Sequence, residues 1–104
     1  MKVNEGELLR RSRDFEIAQH RLRATQIETM IAEFNRICID LGHQIKAEET
    51  RARVSDPTHF AYPMFAKSAR ERREKIQLSA EALRNELDRL RLEAVGASNG
   101  QFAA

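Results

Sequence analysis

Apolar residues recur at alternating steps of three and four through the first half of the chain: Ile17, Ala24, Ile27, Ile31, Phe34, Cys38, Leu41 and Ile45, with His20 at the one polar position of the series. Such steps average 3.5 residues, the repeat that keeps one stripe turned toward a partner as two helices wind together. Residues 2–53 contain no proline and, past Gly6, only Gly42. A first helix over about residues 5–53 is therefore predicted, since nothing in that run breaks the backbone ladder.

The pattern stops at residues 54–63, where both prolines of the chain fall, Pro57 and Pro63. Asp56 before Pro57 has the form of an N-cap with proline at the first helical position, so a short helical turn is expected there. Pro63 disfavours helical geometry at Tyr62 and starts a new element. The seam resumes as Tyr62, Ala66, Ala69, Arg73, Ile76, Ala80, Leu83, Leu87, Leu90 and Ala94. A second helix over about 64–95 follows, with the Gly- and Ser-containing residues 96–104 expected as a flexible tail.

Two seamed helices joined by a short bend bury their stripes by folding back on each other, so the predicted fold is all-α, a single antiparallel coiled-coil hairpin over residues 1–95. Ile45 is then expected near Ala66, and residues around 20 near Ala94. A second stripe, Leu8, Phe15, Ala18 and Leu22, is offset from the first and has no partner within the hairpin. It wants another molecule, and a homo-oligomer is one way to supply it. Arg73 interrupts the second seam and is expected either to reach outward or to pair across the hairpin with Asp40.

Charge changes this picture little. The 18 Lys and Arg nearly balance 16 Asp and Glu, and the surplus sits at Lys67, Arg70, Arg72, Arg73 and Lys75. Glu71 and Glu74 interleave with that cluster, so it reads as a solvated helix face, and no nucleic-acid partner is expected. No segment approaches the roughly 18 apolar residues of a membrane span. With one cysteine and no stretch of signal-peptide type, a cytoplasmic protein is expected, at most peripheral to a membrane.

No constellation for catalysis emerges. His20, His43 and His59 are scattered without carboxylates at ligand spacing, and Cys38 takes a core position. Glu48 and Glu49 are adjacent, point about 100° apart on a helix, and are read as surface charges. The expectation is a protein that is not an enzyme, with no catalytic residue, metal or cofactor and no small-molecule substrate. What asks for more is the bend, where Phe60, Tyr62 and Phe65 crowd beside Pro63 and Met64. Burying one such side chain contributes about 1.5–3 kcal/mol. These aromatics therefore either cap the helix ends or meet a partner. Phe60, Tyr62 and Phe65, with Leu8 and Phe15 of the offset stripe, are the candidate partner-binding residues.

The words IETMIAEFNRI (27–37), IKAEETRA (45–52) and above all SDPTHFAYPMFAKSARERRE (55–74) resemble the FliJ-type flagellar export proteins of alphaproteobacteria. The resemblance implies a non-catalytic, two-helix antiparallel coiled coil of the flagellar type III protein-export apparatus. Its partners would be the export ATPase, the export gate and export chaperones. Two other readings fit a coiled-coil hairpin: a generic oligomeric scaffold, and a regulator that inserts a coiled-coil tip into RNA polymerase. Regulators of that kind pair an acidic tip with a cysteine zinc finger, whereas here His59 and Phe60 follow Asp56 and Pro57, and Cys38 is alone.

Overall fold

The protein, here a computed structural model that describes residues 4–99, is all-α. It has two long helices, α1 over Glu5–Ala52 and α2 over Met64–Asn99. Both prolines lie outside the helical runs, because proline removes a backbone donor and clashes with the preceding turn.

α1 opens on Asn4. Its Oδ1 accepts the Glu7 N–H at 2.7 Å, and its carbonyl accepts the Leu8 N–H at 3.2 Å. Glu5 and Glu7 then place negative charge on the positive end of the helix. The spacing Asn-x-x-Glu is a start signal of this kind, and it fixes the helix boundary.

α1 closes on a paired motif. The Arg53 N–H donates to the Thr50 carbonyl at 3.3 Å and the Val54 N–H to the Glu49 carbonyl at 3.2 Å, with Arg53 at φ 57°. This is the Schellman arrangement, which satisfies the last carbonyls of a helix through one residue in the left-handed region. Glycine usually holds that position; an L side chain there costs about 1–2 kcal/mol.

The expected helical turn after Asp56 is instead two successive backbone turns. The His59 N–H donates to the Asp56 carbonyl at 3.1 Å, and the Tyr62 N–H to the His59 carbonyl at 3.0 Å. Side chains hold both from within: Asp56 Oδ1 accepts the Thr58 N–H and hydroxyl at 2.9 and 2.8 Å, and His59 Nδ1 accepts the Ala61 N–H at 3.0 Å. Asp56 therefore caps a turn and not a helix, since the local side-chain bond competes with the helical ladder. The Pro63 carbonyl accepts the Lys67 N–H at 3.0 Å and starts α2. α2 then continues through Gly96, expected as the first tail residue, to Asn99. Residues 100–104 of the expected tail lie outside the described residues.

The chain divides into two contact units. One joins α1 up to Thr29 with α2 from Arg84. Its buried side chains are Ile27 and Leu87, flanked by the half-buried Ile17, Ala24, Leu90 and Ala94. Ion pairs link the two stretches at the edges: Arg23 to Glu86 at 3.1 Å, Arg91 to Glu28 at 3.0 Å, and His20 Nε2 to Glu93 at 3.6 Å, the last a charge pair only when the imidazole is protonated. His20 fills its seam position with Nδ1 buried and without a hydrogen-bond partner among the described residues.

The other unit, Met30–Leu83, contains the bend and the larger core. Leu41, Ile45, Tyr62, Ala66 and Ala69 cluster there, with Ile37, Val54 and Ile76 packed against them. The alanines matter for their size, because a small side chain facing Leu41 and Ile45 lets the backbones approach closely. Within this unit Cys38 Sγ faces the Arg73 carbonyl at 3.9 Å, while Glu49 meets Arg70, so contact partners run in opposite order along the two helices. The Arg73 guanidinium lies over Gly42, 3.5 Å from where a Cβ would stand. That glycine gives the seam arginine its room; of the two expected outcomes, the ion pair with Asp40 is not formed among the described residues.

Candidate functional site

The five candidate partner-binding residues separate into exposed and structural ones. Phe60 stands 96% exposed at the bend, stacked on His59 with ring centroids 4.6 Å apart. Tyr62, two residues on, is only 7% exposed and belongs to the core. The bend thus turns one aromatic inward and leaves the other in water, because the second backbone turn reverses the chain between them. Tyr62 is a structural residue and is removed from the candidate surface. Phe65 is more than half exposed and, with Leu41 and Ala69, lines a shallow groove of about 150 Å³. Met64 is exposed beside the bend. Phe60 and Met64 therefore present apolar surface on a backbone already fixed by its own hydrogen bonds.

Leu8, Phe15 and Leu22 also remain exposed in the isolated chain. They repeat every seven residues, which puts them on one line along α1, and that line points away from the seam of Ile17, Ala24 and Ile27. Charged residues usually occupy such positions of a coiled coil. Among the described residues this apolar line stays exposed to water.

Tyr62 is held by a polar cluster that the sequence did not disclose. Its hydroxyl donates to Glu49 Oε2 at 2.7 Å and accepts from Arg70 Nε at 2.7 Å, while Arg70 Nη2 donates to the same carboxylate oxygen at 3.0 Å. The Arg70 guanidinium also stands 5.8 Å from the Tyr62 ring centroid. Glu49, read as a surface charge, and Arg70, read as part of a solvated basic face, both correct to partly buried members of this triangle. Each lies beside the seam and not on it, so heptad spacing carried no sign of their meeting across the fold.

The triangle shifts its members in a consistent way. The Tyr62 hydroxyl and then Arg70 hold the Glu49 carboxyl below its ordinary value near 4.5. Burial first, and the bond to Glu49 second, push the Tyr62 phenol above its ordinary 10.0. A depressed carboxyl adds stability that is present above its unfolded value and disappears as pH falls through the folded one. A raised phenol adds stability that is intact below its unfolded value and disappears as pH rises through the folded one. Thermal melts should therefore show a plateau bounded by an acid fall beginning below about pH 4.5 and an alkaline fall beginning above about pH 10. Glu49→Gln should flatten the acid fall; an unchanged acid limb in that variant would remove Glu49 from the account.

Among the described residues no group of three or more His, Cys, Asp or Glu could hold a metal ion, and no helix is long and apolar enough to cross a membrane. Cys38 is half-buried in the seam. Comparison with known proteins adds no identity: no family model, curated protein or solved structure matches this chain.

Proposed function

We propose that this protein is a non-catalytic, antiparallel coiled-coil component of the flagellar protein-export apparatus, which works by being bound by the export ATPase and by the export gate or export chaperones. The observation that carries the reading is Phe60: a large apolar side chain held almost wholly in water on a bend whose backbone is fixed by Asp56, His59 and the buried Tyr62. A preorganised aromatic loses little conformational freedom on docking, which is the property of residues that dominate protein interfaces. The string around it, SDPTHFAYP, is also the part of the sequence that most resembles the FliJ-type proteins. The line of Leu8, Phe15 and Leu22 gives the same reading a second contact surface.

Purified export ATPase should be retained by the immobilised chain, and Phe60→Ala should weaken that retention about tenfold or more, the loss expected of a hot-spot aromatic. Helical content should not change, since Phe60 contributes nothing to the core. If ATPase, gate and chaperones all fail to bind the unaltered chain, the reading is wrong.

A further inference from the structure

A second surface near the bend has a different chemistry. Lys46, Glu49, Thr50, Arg53, Val54 and Ser55 line a concavity of about 320 Å³ where α1 ends. Val54, half-buried against the core cluster, gives it a fixed floor. Of its charged groups, Glu49 is already engaged by Tyr62 and Arg70. The ammonium of Lys46 and the guanidinium of Arg53 enter no ion pair among the described residues, so the lining includes two cations, one on α1 and one just past its end.

The second observation is the backbone at Arg53. It holds the left-handed position of the Schellman turn, φ 57°, where glycine would sit without strain. Strained residues of this kind cluster where a side chain has work to do. The negative end of the helix does not account for it: Arg51 already places a cation in the last turn, at a position with ordinary helical geometry, paired with Glu48. Arg53 is thus a second cation, kept at a strained position, facing a concavity that a first cation also faces.

We propose that this concavity binds an acidic peptide segment, with Lys46 and Arg53 each receiving a carboxylate. An acidic peptide fits better than a nucleic acid. A phosphate backbone presents a long row of charges and calls for a longer run of positive groups than the two cations of this concavity supply. The proposal rests on the reading of this chain as a bound helical module but not on the identity of the export ATPase, so that retention experiment and the one below fail independently.

The test is a titration of the isotope-labelled full chain with hexaglutamate, followed through its backbone amide resonances. Hexalysine and hexauridylate serve as controls. Expected are saturable shifts confined to about residues 46–55, weakened by salt, and at least tenfold weaker binding in Arg53→Gly and in Lys46→Ala. Arg53→Gly should melt at or above the temperature of the unaltered protein, which separates a lost contact from a lost fold. Lys46→Ala is an exposed helix substitution and gives the same answer without touching the turn. No shift at this turn with hexaglutamate, unchanged affinity in both variants, or tighter binding of hexauridylate there would each overturn the proposal.

Discussion

Tyr62→Ala is expected to destabilise the unit around the bend by about 3–5 kcal/mol, the range for removing a buried aromatic, whereas Phe60→Ala should stay within about 0.5 kcal/mol of the unaltered protein. The contrast follows from burial: Tyr62 packs with Leu41, Ile45, Ala66 and Ala69, while Phe60 touches the chain mainly through His59. Truncating Tyr62 leaves a void where those side chains meet. It also takes the hydroxyl from between Glu49 and Arg70, whose direct bond at 3.0 Å remains. Tyr62→Phe separates the two contributions, since it keeps the ring and removes only the hydroxyl; its cost should be about 1–2 kcal/mol, in the range for a hydrogen bond to a charged group. Chemical denaturation of the three variants measures this directly. A loss for Phe60→Ala comparable with that for Tyr62→Ala would show that the exposed ring is structural, and the binding role proposed for it would fall.

Ile27→Ala should cost about 2–5 kcal/mol, the range for a fully buried aliphatic side chain. Ile27 is 0% exposed, and in its contact unit Leu87 is the other buried large side chain among the described residues. The two preceding seam positions on α1 are the small Ala24 and the polar His20, so little apolar volume on that side is available to close over the void. Amide hydrogen exchange should show the loss locally. Protection should fall first before Thr29 and after Arg84, with residues 30–83 holding theirs, because the Tyr62 and Ala66 core is untouched. Equal loss of protection along both helices would mean that the chain opens as one cooperative whole, and would contradict separate cores.

The heptad pattern carried much of the fold. Every residue assigned to the second seam from Tyr62 to Ala94 is buried or half-buried, and so is every first-seam residue from Ile17 to Ile45. The reason is that a stripe recurring every 3.5 residues has one way to leave water, and proline permits few places to break it. The exposure of Leu8 and Phe15 was legible for the same reason, since their line is offset from the seam.

Other features were decided only by the folded chain. The sequence alone determined that there are two long helices, where they break, and which face of each is dry, because periodicity and proline act within a few residues of one another. Tertiary structure decided which aromatic at the bend goes inward, that Glu49 and Arg70 close around it, and that Arg53 takes a left-handed turn beside Lys46. Those outcomes depend on groups far apart in the chain, or on where the backbone reverses, and side chains of ordinary type at ordinary spacing give no local sign of either.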